Sequence, residues 1–147
     1  VLNMGKFLSG DYEAAATEIE EQIAAAKGAT VKVILETGAL KTPENIRRAT
    51  ILSLFCGAHF VKTSTGKGYP GASLEAAYTM CKVLKQYYEL FGEVRGIKLS
   101  GGIRTTEDAV KYYCLIDTLL GKEWLTPAYF RIGASSLVDA LRQDIMV

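Results

Sequence analysis

The sequence has few cysteines, one histidine and no long apolar run. The three cysteines, Cys56, Cys81 and Cys114, are odd in number and far apart, with no C-x-x-C pair. That excludes a disulfide framework and a zinc site and points to a reducing, cytoplasmic compartment. His59 stands alone and needs no metal. No apolar stretch approaches the roughly 18–20 residues of a membrane span, and no signal-peptide pattern opens the chain. Charge of one sign is missing too. Lys+Arg is 17 against 16 Asp+Glu, a net of +1, so no bulk field recruits nucleic acid or an anionic membrane.

What remains is an ordinary globular balance. The 147 residues are 49% hydrophobic and 22% charged, which excludes intrinsic disorder and suits one domain with a core of its own. Residue 1 is Val rather than Met, and Val1-Leu2-Asn3 reads like the end of a strand already under way. The expectation is a chain that is part of something longer.

Helical patterns alternate with short apolar runs. A first helix is expected from Asp11 to Lys27, stopped by Gly28, then a strand over Val31–Thr37. Thr42 caps a helix with Pro43 at its first position, where proline is best tolerated, ending at Gly57. A strand over Phe60–Thr63 precedes a helix capped by Ser73, running Leu74–Phe91 and stopped by Gly92. Strand Gly96–Leu99 precedes a helix capped by Thr105, running Thr106–Leu120 and stopped by Gly121. A connector with Trp124 and Pro127 leads to strand Tyr129–Gly133 and a final helix from Ser135 to Ile145. This strict alternation predicts βαβ units and a parallel sheet.

Side chains at i and i+2 share a strand face. Val33, Leu35, Val61, Ile97, Leu99, Phe130 and Ile132 make one face apolar, fit for covering helices. The opposite face carries Glu36, Lys62, Lys98 and Arg131. A doubly wound sheet is covered on both faces and its strands read as nearly continuous apolar runs. A charged inner face suits a barrel, whose active site lies at the C-terminal ends of the strands. Four strands cannot close a (β/α)8 barrel, so the expected fold is α/β, about half of one.

Three segments carry candidate chemistry. In Phe60-Val61-Lys62-Thr63-Ser64-Thr65-Gly66-Lys67-Gly68 a strand-end lysine precedes a Ser/Thr/Gly loop. Lys62 is either a nucleophilic amine beside an anion-binding loop or a lysine snorkelling from the strand edge. An amine attacks a carbonyl only when neutral, and burial or a neighbouring cation favours that form. In Ile97-Lys98-Leu99-Ser100-Gly101-Gly102-Ile103-Arg104-Thr105 a second strand-end lysine precedes two glycines and a helix cap. The glycines either admit a phosphate to backbone N–H groups at a helix start or form a tight turn. Two inward lysines on consecutive strands favour mutual depression of their pKa values. In Ile132-Gly133-Ala134-Ser135-Ser136 small residues open the last helix, as a phosphate site or as a serine cap. Glu36 is read as an acid or, preferably, a partner for an inward lysine. The cysteines are read as packing residues.

Phe60-Val61-Lys62-Thr63-Ser64-Thr65-Gly66 resembles the Schiff-base segment of deoxyribose-phosphate aldolases. Val33-Ile34-Leu35-Glu36-Thr37-Gly38, Lys98 with Gly101-Gly102-Ile103-Arg104-Thr105, and Gly133-Ala134-Ser135-Ser136 match in the same order. The resemblance spans essentially the whole chain but only the C-terminal half of the family's barrel, from the end of the fourth strand through the eighth βα unit. Residues 1–147 would then be a single partial domain. It implies a class I aldolase without metal or cofactor that reversibly cleaves 2-deoxy-D-ribose 5-phosphate to acetaldehyde and D-glyceraldehyde 3-phosphate.

By this resemblance Lys62 is the Schiff-base nucleophile, and Lys98 holds it neutral and helps shuttle protons. Gly66, Gly101, Gly102, Gly133, Ser135 and Ser136 cradle the phosphate. Thr65 lies near the substrate, and Lys67 and Arg104 add positive potential. The implied partner is a small phosphorylated sugar, in a homo-oligomer. The family's proton-relay aspartate falls just before the segment that Val1-Leu2 matches, so slow or absent turnover by this chain is expected. The alternative expectation is a non-catalytic, phosphate-binding half-barrel that associates with itself.

Overall fold

The structure is a computed structural model and describes residues 1–146. Four short strands, β1 (Lys32–Ile34), β2 (Phe60–Lys62), β3 (Gly96–Ser100) and β4 (Phe130–Gly133), form one parallel sheet in the order β1-β2-β3-β4. Each strand pairs with the next in sequence. Right-handed crossovers then place every connecting helix on the same face. A doubly wound sheet would reverse direction and cover both.

The helices are α1 (Met4–Leu8), α2 (Tyr12–Ala25), α3 (Thr37–Leu40), α4 (Pro43–Phe55), α5 (Leu74–Phe91), α6 (Thr106–Leu120) and α7 (Leu137–Ile145), with a 3-10 turn at Lys122–Trp124. Their starts follow local chemistry. The hydroxyls of Thr42, Ser73 and Thr105 accept the N–H groups of Asn45, Ala76 and Asp108 at 3.1–3.2 Å, each satisfying an otherwise unpaired helix-end donor. Pro43 opens α4. Gly92 ends α5 at φ +68, a left-handed cap that glycine takes without a Cβ penalty.

The face alternation read from the sequence fits the burial. Val33, Leu35, Val61, Ile97 and Leu99 are buried beneath Ala49 and Leu54 of α4, Met80 and Leu84 of α5, and Ile116 of α6. Phe130 and Ile132 of β4 pack partly buried against the same core.

Three expectations need correction. The strand expected through Thr37 ends at Ile34. Glu36 turns into the left-handed region (φ 58, ψ 63) and Thr37–Leu40 forms one helical turn. Hydrogen bonding to the neighbouring strand continues across this kink, Leu35 N–H to Lys62 O and Thr37 N–H to Thr63 O, while the alternation of burial stops, with Leu35, Glu36 and Thr37 all buried. Second, α1 was not expected. Asn3 caps it by accepting from Lys6 N–H, and Gly10 at φ +87 redirects the chain into α2. Third, the last helix starts at Leu137, and Ser136 makes no side-chain cap. The end-of-strand reading of Val1-Leu2-Asn3 has a counterpart: Leu2 is buried and its N–H donates to Ile34 O on β1.

Candidate active site

The sheet face away from the helices carries the site. In register across the sheet, Ile34, Lys62, Lys98 and Arg131 are successive neighbours. Strands lie about 4.8 Å apart, which brings three cationic side chains side by side. Two residues earlier, Lys32, Phe60 and Gly96 form the adjacent row on the same face. Gly96 leaves room for Phe60, since a Cβ there would lie 2.4 Å from the ring. Lys32 Nζ sits 5.6 Å and Arg131 Cζ 4.6 Å from the ring centroid. Phe60 is thereby buried although it lies on the inner face of the sheet, and cation–π contacts hold both charges over it.

This crowding acts on the amines. Burial, and then the positive charge of Lys98, hold the Lys62 amine below the ordinary lysine range, while Glu36 opposes the shift. Lys32 is lowered as well, first by burial and then by Lys98, Arg131 and Lys62. Both effects enlarge the neutral, nucleophilic fraction of the amine. Lys32 was missed as a site residue. Its place on the Glu36 face of its strand, two residues before Ile34, was the signal.

Above the lysines lies a cleft of about 440 Å³ lined by Lys62, Thr65, Gly66, Lys98, Ser100, Gly101, Gly102, Ile103, Arg104, Gly133, Ala134 and Ser135. It gathers nearly every candidate from the three segments. The two exceptions are Lys67 and Ser136, which are exposed and lie outside this lining.

The walls are fixed by buried hydroxyls. Thr63 Oγ1 donates to Ser100 O at 3.1 Å and accepts from Ser100 N–H at 3.0 Å. Ser64 Oγ donates to Ser100 O, and Ser100 Oγ donates to Ser64 O. Thr63 and Ser64 are fully buried, so the loops after β2 and β3 are locked together. The loop returning to α5 crosses close above. Ala72 N–H donates to Ser100 O at 2.9 Å, and a Cβ at Gly71 would lie 2.4 Å from Gly101 O. Gly71, which the sequence reading passed over, admits this backbone contact. Gly101 and Gly102 take φ +91 and +80, conformations suited to glycine.

Other side chains depart from their expected roles. Glu36 is buried and binds Thr65 rather than a lysine: both carboxylate oxygens accept from Thr65 N–H at 3.3 Å, and Oε2 also accepts from Thr65 Oγ1. A buried carboxylate needs donors, and the backbone after Lys62 supplies one closer than any amine. Cys81 is buried in the core and Cys56, the half-buried cap of α4, packs against it, whereas Cys114 is exposed and does not have the expected packing role. His59 Nδ1 accepts from Val31 N–H at 3.0 Å. Among the described residues, no cluster of three or more His, Cys, Asp or Glu could hold a metal, and no helix is long and apolar enough to cross a membrane.

Residues 1–123 match the profile of the DeoC/LacD family aldolases. The chain belongs to that family. The match contains the lysine pair and the Gly101-Gly102 loop. Alignment to the deoxyribose-phosphate aldolase of Homo sapiens extends it, at 37% identity over 145 residues, covering 99% of this chain and 46% of the human one. A Caenorhabditis elegans relative is 44% identical over 139 residues, covering 95% of this chain and 46% of its own. The solved structure of a deoxyribose phosphate aldolase from Aeropyrum pernix superposes with a TM-score of 0.68 at 28% identity, covering 92% of this chain and 51% of that one. This aldolase-family chain therefore spans about half the length of the curated relatives it matches.

Proposed function

We propose that this chain carries the Schiff-base and phosphate-binding part of a deoxyribose-phosphate aldolase site, within the C-terminal half of a (β/α)8 barrel. The observation that carries the reading is the in-register pair Lys62 and Lys98 beneath a glycine-lined cleft. The neutral Lys62 amine attacks the C1 aldehyde of ring-opened 2-deoxy-D-ribose 5-phosphate, and loss of water leaves a protonated imine. The C3 hydroxyl gives up its proton, the C2–C3 bond breaks, and its electrons flow to the imine as an enamine. C3 leaves as the aldehyde of D-glyceraldehyde 3-phosphate. Protonation at C2 and hydrolysis release acetaldehyde and return the amine.

Lys98 favours neutral Lys62 and, facing the same cleft, is placed to pass protons. Backbone N–H groups at Gly66, Gly101, Gly102 and Gly133, with Ser135, take the phosphate. Arg104 adds positive potential at the cleft, and Lys67 and Ser136 contribute from outside its lining. The experiment is a retro-aldol assay. Turnover by these 147 residues is slow or absent, and cleavage that does occur forms the two products in equal amounts and is abolished by Lys62→Met. Turnover that survives that substitution overturns the proposal.

A second reading has its own observation. The cationic inner row faces away from every helix, and β1 and β4 are the sheet's edges. Edge strands are templates for pairing with another chain. The second reading is a phosphate-binding half-barrel without turnover that assembles with a second copy. Light scattering of a dimer or larger species, together with phosphate binding and no aldol cleavage, supports it over the first. In either reading the setting is the cytoplasm, and the ligand is a small phosphorylated sugar.

A further inference from the structure

Glu36 stands apart from the catalytic scheme above. It is 1% exposed, and charged side chains are seldom that buried without a partner. Among the described residues no basic side chain forms an ion pair with it. Its backbone is left-handed, a conformation that residues other than Gly, Asn and Asp rarely take. What the carboxylate holds is one segment of the cleft wall. Thr65 donates to it through both its N–H and its hydroxyl, and Thr65 Oγ1 in turn accepts from Lys67 N–H at 3.1 Å. The hydrogen-bond polarity therefore runs one way, from Lys67 N–H through the Thr65 hydroxyl to Glu36. Gly66 lies between, at φ +80, with its neighbours' orientation set on both sides. Thr65 and Gly66 both line the cleft.

The charged groups around Lys62 come from every strand: Lys32 from β1, Lys98 from β3, Arg131 from β4 and Glu36 from the kink after β1. The first three are cations. A cluster of cations alone repels protons from all its amines and raises the cost of folding. A fixed carboxylate beside it moderates both effects.

We infer that Glu36 is a positioning residue of this site: its buried carboxylate clamps Thr65-Gly66-Lys67 in the orientation that receives an anion and sets a fixed negative charge against the cationic row. The role as a positioning residue rests on the aldolase reading. The clamp and the charge are testable without it.

The test is competitive acylation of lysines across a pH series, read at Lys62 by peptide mass spectrometry, with and without inorganic phosphate. It is run on the wild-type chain, Glu36→Gln and Thr65→Val, each checked for folding by circular dichroism. Glu36→Gln removes the charge and one acceptor. The Lys62 titration midpoint is expected to fall below the wild-type value. Thr65→Val keeps the charge, so the midpoint stays at the wild-type value. Both variants loosen the clamp and need about threefold to tenfold more phosphate to slow acylation of Lys62, the range of one lost hydrogen bond. An unchanged midpoint in Glu36→Gln overturns the charge role, and wild-type phosphate protection in Thr65→Val overturns the clamp. If Glu36→Gln does not fold, the Thr65→Val arm still decides the clamp. Acylation involves no aldol chemistry. Failure of Lys62 to form an imine would sink the aldolase reading while leaving this titration to stand or fall by itself.

Discussion

Gly133→Ala puts a single methyl group where the site is tightest. A Cβ at Gly133 would lie 2.9 Å from Ser100 Cβ and 3.0 Å from Lys98 Cε. Carbon atoms in contact prefer about 3.5–4.0 Å, so about 0.6 Å must be found. Ser100 cannot supply it. Its N–H is held by Thr63 Oγ1, its carbonyl accepts from Thr63, Ser64 and Ala72, and its hydroxyl is bound to Ser64 O. The movement must come from β4 or from the Lys98 side chain. Overpacking of this kind costs about 1–3 kcal/mol. For a chain of this length about 2 kcal/mol corresponds to a melting temperature lower by about 4–8 °C. Lys98 also swings away from Lys62, and the Lys62 midpoint in an acylation series rises. The assay pairs a thermal melt with lysine acylation. A Gly133→Ala chain that melts like wild type, with Lys62 titrating unchanged, would refute the close packing of Gly133 on Ser100 and Lys98.

Other substitutions probe the same structure. Lys98→Met removes the neighbouring cation, and Lys62 titrates higher than in the wild-type chain; acylation against pH reads this directly. Thr63→Val leaves the buried Ser100 N–H without its acceptor and costs about 1–3 kcal/mol, measured by urea unfolding. Cys81 is buried and its thiol is pushed up to about 12, so iodoacetamide at pH 8 modifies exposed Cys114 and reaches Cys81 only in unfolded protein, as seen by peptide mass spectrometry.

Much of the fold was legible because its signals are local. Ser73 with Gly92, and Thr105 with Gly121, bracket α5 and α6 at their observed ends. Cap hydroxyls and stop glycines act within a turn of the helix they define. The inner and outer strand faces were readable for the same reason, since alternation is a property of consecutive residues. The kink at Glu36 was hidden because Thr37 beyond it still hydrogen-bonds to the neighbouring strand's backbone. The cleft was legible as a set of residues, not as a shape. That Ser100 is gripped by Thr63 and Ser64, or that Gly71 meets Gly101, depends on contacts between segments distant in sequence. Lys32 was readable in principle, being two residues from Ile34 on the same face, and its weight became clear only with Phe60 and Arg131 beside it.

The central claim is that Lys62 is the amine that attacks an aldehyde, and borohydride trapping tests it most directly. The chain is incubated with acetaldehyde at neutral pH, reduced with borohydride, digested and mapped by mass spectrometry. One ethyl group per chain is expected, on Lys62, and a chain unfolded before the aldehyde is added shows no preference for Lys62 over its other lysines. Equal ethylation of surface lysines with no preference for Lys62, or an adduct centred on Lys98 or Lys32 instead, would contradict it.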